Sequence, residues 1–125
     1  MQVKEIMKQP YVVEEDMGLG DTASLMSEKG VGCLLFVSKG KVKGIISESD
    51  LLRNFGKSKM ISQIMSKNII SASPDDNVED ALKVMKENKI KRLPIVDKQK
   101  RLVGIVSMTD IAANIEKFDG DFFFN

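Results

Sequence analysis

The sequence predicts an α/β fold made of two related halves, and three observations carry that expectation. Gly44-Ile45-Ile46-Ser47-Glu48-Ser49-Asp50 returns 60 residues later as Gly104-Ile105-Val106-Ser107-Met108-Thr109-Asp110, and self-similarity at a fixed offset marks a duplicated unit. Each copy is an apolar run that closes on a serine with a carboxylate three residues further on, the pattern of a strand turning into a helix. The predicted strands are near-continuously apolar, so both faces of the sheet need helices to cover them. Each half then reads as short helix, strand, helix, strand, strand, helix. Repeat 1 runs over 1–58 and repeat 2 over 59–118, with 119–125 left as a tail. A half of about 60 residues buries too little apolar surface to be more than marginal alone, so the halves are expected to form one module.

In chain order, Val3-Lys4-Glu5-Ile6-Met7 has apolar positions at helical spacing, and Ile61-Ser62-Gln63-Ile64-Met65 repeats the idea. Both read as short helical lead-ins. Tyr11-Val12-Val13 after Pro10, and Asn68-Ile69-Ile70-Ser71, read as brief equivalent strands. Val78, Ala81, Leu82 and Met85 fall on one helical face, behind a Ser73-Pro74-Asp75 turn and with Asp76 as candidate cap and Glu79 three residues on. Leu19, Thr22, Ala23 and Met26 keep that spacing in the first half, where Gly18 and Gly20 lower helix propensity. The Gly18-x-Gly20 pair lacks the third glycine and the long leading strand of a dinucleotide fingerprint. Leu34–Val37 with Val42–Ile46, and Leu93–Val96 with Leu102–Val106, read as hairpins around polar loops, with Pro94 expected at a strand start or edge because it has no amide hydrogen. Final helices are expected from Ser47 to Phe55 and from Ser107 to Lys117, before an Asp119-Gly120 break. Phe122, Phe123 and Phe124 then need cover, from the module itself or from another subunit.

Composition excludes several classes of chemistry. With no histidine and a single cysteine, Cys33, the chain lacks the usual ligands of a zinc site, the partner for an intramolecular disulfide and the commonest general base. No metal site is expected. A net charge of +1 gives no overall basic field for nucleic acid, so nucleic-acid binding through Lys83, Lys86, Lys89 and Lys91 is not expected. No apolar run approaches the ~20 residues of a membrane span, and the N-terminus has no signal-peptide core, so a cytoplasmic protein is expected. Asp75 and Asp76 beside Pro74 are ordinary turn chemistry, so no catalytic residues are assigned.

The leading Ile-Met, the Ser-Pro-Asp turn, the amphipathic helix, Arg92-Leu93-Pro94-Ile95-Val96-Asp97 and Gly104 to Asp110, in that order, resemble the cystathionine-β-synthase (CBS) domain. The first half is a degraded copy, with Gly32-Cys33-Leu34-Leu35 where the second has Lys91-Arg92-Leu93-Pro94. The two copies cover nearly the whole chain, so it resembles a stand-alone tandem pair. The resemblance implies two repeats packed about a pseudo-twofold axis, two clefts between them that take adenosine-containing ligands, and a homodimer. It implies that Asp110, Ser107 and Thr109 hold ribose and phosphate in the main cleft, with Lys91 and Arg92 on the phosphate and Val12, Val13 and Glu14 lining the base. In the second cleft the corresponding residues are Asp50, Ser49 and Ser47, with Ile70, Ser71 and Ala72 lining the base. No cofactor is required. AMP is the favoured ligand, with ATP, ADP and S-adenosylmethionine as alternatives.

Physical chemistry supports part of that assignment. A carboxylate accepts two adjacent hydroxyls, so Asp110 suits a ribose diol, while free amides at a helix start suit an anion. Asp110 would repel a phosphate set on top of it, so a cation must stand at the phosphate end. Lys91 and Arg92 supply that charge in the second half only, which makes the Asp110 cleft the one expected to prefer a phosphorylated ligand. The plain alternative is that each serine caps a helix and each acid complements its dipole, worth about 1 and 0.3–1 kcal/mol respectively. The expected function is a regulatory sensor read by a partner protein, against a ligand-free interaction and dimerisation module.

Overall fold

The computed structural model describes residues 1–115. It is a mixed α/β chain that divides into two compact units, one formed by 10–69 and the other by 1–9 together with the described residues from Ile70 onward. The expected Phe122-Phe123-Phe124 tail, the Asp119-Gly120 break and the helix end at Lys117 lie outside the described residues.

In the 10–69 unit, β1 (Val12–Val13) runs parallel to β2 (Cys33–Ser38), which pairs antiparallel with β3 (Lys41–Ser47). Between β1 and β2 lies α1 (Leu19–Lys29), and β3 leads into α2 (Glu48–Arg53) and then α3 (Ile61–Ile64). Lys39 and Gly40 both take positive φ, which closes the β2–β3 hairpin in two residues. Leu34, Leu35, Val37, Ile46, Met26 and Ile61 are buried, as is Thr22, whose hydroxyl donates to the Gly18 carbonyl. Ala23, grouped with them by spacing, is exposed.

The other unit holds a 3-10 turn at Val3–Glu5, α4 (Val78–Asn88), the β4–β5 hairpin (Arg92–Val96 and Leu102–Ser107) and α5 (Met108–Ala113). The expected face of α4 is the core: Val78, Ala81, Leu82 and Met85 are all buried, beside Val3, Ile6, Leu93, Ile95, Val106 and Ile111. Its cap differs from expectation. Asn77 is the N-cap and makes no side-chain cap bond, while the Asp76 carboxylate accepts from the Ser73 amide and closes the preceding turn. The final helices are also shorter than expected, since α2 and α5 stop at Arg53 and Ala113.

The strand expected at Asn68–Ser71 does not form, and Pro94 is the reason. In the first unit Val13 pairs with Phe36, and the Leu35 amide donates to the Tyr11 carbonyl. The second unit keeps the counterpart of the first contact, Ala72 with Ile95, since Phe36 and Ile95 both lie opposite the repeat glycines Gly44 and Gly104. The counterpart of Leu35 is then Pro94, which has no N–H to give. A two-residue strand is thereby reduced to a single bridge. The same register makes Ser71 and Ala72 the equivalents of Val12 and Val13, so the expected trio Ile70-Ser71-Ala72 begins one residue early.

The lead-ins belong to the opposite sequence repeat. Lys8 bridges Ile105 through two backbone hydrogen bonds of 2.9 Å, and Ser66 bridges Ile45 through bonds of 2.9 and 3.0 Å. Each lead-in also sets a methionine against a strand glycine. A Cβ added to Gly104 would lie 2.6 Å from the Met7 sulfur, and one added to Gly44 would lie 2.2 Å from that of Met65. Glycine in Gly44-Ile45 and Gly104-Ile105 is therefore a packing requirement of the lead-in.

Candidate functional site

The repeated Ser-x-x-Asp turn sits at the same place in each unit, where the second strand of the hairpin becomes the last helix. Reciprocal caps hold it. The Ser107 amide donates to Asp110 Oδ2 at 2.9 Å and the Asp110 amide donates to Ser107 Oγ at 3.0 Å. In the other unit the Ser47 amide and hydroxyl donate to Asp50 Oδ2 at 2.8 and 3.0 Å, with a longer 3.4 Å bond from the Asp50 amide to Ser47 Oγ. The capping account is therefore correct for both turns, and it uses one oxygen of each carboxylate. Ser49 hydrogen-bonds the Ser47 hydroxyl, and Thr109 is exposed.

The second oxygen distinguishes the two. Asp110 Oδ1 is 2.9 Å from the Lys8 ammonium, on a lead-in 102 residues away in sequence, and Asp110 is only 6% exposed. Asp50 Oδ1 pairs with Arg53, one turn along its own helix. Lys8 and Ser66 occupy equivalent backbone positions, as do Ala113 and Arg53 in the last helices. Among the described residues each acid thus has a single cationic partner, delivered by a different element. Burial alone would push the Asp110 carboxyl up; the hydrogen bond from Lys8 and those from Ser107 outweigh it and hold the group below its ordinary range.

The expected phosphate-binding pair joins this turn in the 1–9/70-onward unit. The Lys91 carbonyl accepts from the Met108 amide at 2.9 Å, and Arg92 lies directly opposite Ser107 in the β4–β5 ladder. Gly32 and Cys33 take these places in the other unit, with Gly32 accepting from the Glu48 amide and Cys33 opposite Ser47. The sequence equivalence of the two pairs is thus also structural. Neither Lys91 nor Arg92 forms an ion pair among the described residues. Val12, Val13 and Glu14 lie in the 10–69 unit beside β2, whereas Ile70, Ser71 and Ala72 belong with β4.

Sequence reasoning missed Lys8 and Arg53. Each left only a trace in the sequence: Lys8 follows the lead-in Ile6-Met7 where the second lead-in has Ser66 after Ile64-Met65, and Arg53 stands one helical turn after Asp50.

A different kind of surface lies in the 10–69 unit, where an open cavity of about 790 Å³ runs between α1 and α2. Leu19, Ala23, Met26, Leu51, Leu52 and Phe55 contribute its apolar lining, with Leu52 and Phe55 74% and 87% exposed. No helix among the described residues is long and apolar enough to cross a membrane, and none of their His, Cys, Asp and Glu side chains gather in threes that could hold a metal ion.

The sequence pattern of the CBS domain matches twice, over 3–57 and 61–117. The chain belongs to the CBS domain family. It is similar to the CBS domain-containing protein YhcV of Bacillus subtilis (strain 168), at 36% identity over 118 residues covering 90% of this chain and 84% of YhcV. It also resembles the solved CBS domain pair of protein MJ0100 in complex with 5'-methylthioadenosine and S-adenosyl-L-methionine. That likeness has a TM-score of 0.85 and 29% identity and covers 94% of this chain and 97% of the other. A homoserine O-acetyltransferase of Methanohalobium evestigatum is 33% identical over 108 residues, but this CBS pair spans only 22% of that enzyme.

Proposed function

We propose that this CBS pair is a regulatory module that binds an adenosine-containing ligand, with AMP favoured over ATP, ADP and S-adenosylmethionine, and that Asp110 is the residue that grips the ribose. The observation that carries the reading is the state of the Asp110 carboxylate. It is nearly covered and oriented through Oδ2 by its own helix cap, and among the described residues Oδ1 is held by an ammonium that is 73% exposed and so easily displaced. An acid fixed in this way is preorganised to accept a sugar diol in place of a lysine. Ser107 and Thr109 stand beside it, and Lys91 and Arg92 supply cations for a phosphate. The similarity to the MJ0100 pair, solved with two adenosine derivatives, supports the ligand class. Asp50 with Ser47 and Ser49 offers a second, weaker site, without the basic pair. The chemistry is binding, with no bond made or broken, and occupancy would shift a conformational balance that a regulated partner reads.

Calorimetric titration of AMP into the wild type, Asp110→Ala and Asp50→Ala tests this. Asp110→Ala is expected to lose most of the affinity and Asp50→Ala much less; equal losses would remove the dominance of the Asp110 site.

The apolar groove between α1 and α2 supports a homodimer, and it would also serve the second reading, a ligand-free interaction module. Thermal shifts with adenosine nucleotides and S-adenosylmethionine separate the two readings, since the second expects none.

A further inference from the structure

We infer that Lys8 sets the charge selectivity of the Asp110 site, favouring an anionic nucleotide over an uncharged nucleoside. The inference rests on the proposed ligand reading and adds a residue to it. Oδ2 of Asp110 is committed to the Ser107 amide and Oδ1 faces the Lys8 ammonium, so a ligand hydroxyl that takes Oδ1 competes with Lys8 for it. The lysine cannot leave with its charge. Its backbone is clamped to Ile105 by hydrogen bonds in both directions, so the displaced ammonium stays at the rim of the site on a flexible stem. A nucleoside without phosphate breaks one ion pair and gives the ammonium nothing in return. A nucleoside monophosphate offers a new partner, so a contact that would oppose binding becomes one that favours it.

The other unit carries the internal control. Ser66 occupies the position of Lys8 with the same pair of backbone bonds, and the cation on Asp50 comes instead from Arg53 on the helix itself. Lys8 also differs in kind from Lys91 and Arg92, because it is the only one of the three that touches the acid.

The test is a titration of AMP and of adenosine into the wild type, Lys8→Ser, Lys8→Arg and the Lys91→Ala/Arg92→Ala double variant, each checked for a cooperative melting transition above the titration temperature. Lys8→Ser is expected to weaken AMP about tenfold while leaving adenosine equal or tighter, so that the AMP-to-adenosine ratio collapses, and Lys8→Arg should restore it. The double variant would weaken AMP while leaving a residual preference that disappears when Lys8→Ser is added. An AMP-to-adenosine ratio unchanged by Lys8→Ser overturns the role of Lys8 and leaves the ligand reading intact. Tighter binding of both ligands by the same factor also overturns it, by showing that Lys8 only competes for the acid. A wild type that binds neither ligand brings down the underlying reading as well.

Discussion

Asp110 and Asp50 occupy the same turn, cap the same kind of helix with the same serine, and yet differ in where their charge is neutralised. Asp50 is answered locally, by an arginine one turn along α2, whereas Asp110 is answered by Lys8, brought in by a lead-in from the far end of the chain. The local pair is a property of one helix. The remote pair ties a segment to the site, so anything that takes Asp110 also acts on that segment. Duplication supplied two copies of a turn, and a few substitutions around it, Lys8 for Ser66, Arg53 for Ala113 and the Lys91-Arg92 pair for Gly32-Cys33, gave the copies different electrostatics.

The largest effect that sharpens this comparison is on ligand affinity. Asp110→Ala should weaken AMP by about tenfold to a hundredfold, the loss of a charge-assisted hydrogen bond of roughly 1.5–3 kcal/mol, with Asp50→Ala well below that by calorimetry. Next come the glycines that seat the lead-ins. Gly104→Ala and Gly44→Ala each insert a methyl into the side chain of Met7 or Met65 and should cost about 1–3 kcal/mol in denaturant unfolding. If Lys8 positions the ligand, Gly104→Ala should also disturb AMP binding at Asp110 more than Gly44→Ala does. Removing a cap is smaller: Ser107→Ala should cost about 1 kcal/mol of stability.

The smallest effect is the dependence on pH. Because the folded Asp110 carboxyl lies below its ordinary value, its contribution to stability is complete above the unfolded value of about 4 and is lost as pH falls through the lower folded value. Asp110→Asn should therefore show a shallower loss of stability than the wild type as pH falls below about 4, measured by thermal melts.

Much of this was legible in the sequence, for identifiable reasons. The 60-residue repeat, the α4 face and the serine-aspartate turn depend on sequence pattern alone. Three things were not legible. The failed strand before Ala72 depends on which neighbour would have received the missing Pro94 hydrogen bond, a matter of register. The Asp76 carboxylate closes the turn before α4 by accepting from the Ser73 amide, where the helix cap was expected. Lys8 is an ordinary surface lysine until the fold brings it to Asp110, so only the mismatch with Ser66 hinted at a role.

The exchange of lead-ins has a practical consequence for anyone who cuts this gene. A fragment ending at the repeat boundary near residue 58 would carry Met7, which seats in the missing half, and would lack Met65, which its own sheet needs. Neither half so made would own its wedge. A cut after Ile69, with the first nine residues grafted onto the later piece, follows the grain of the molecule.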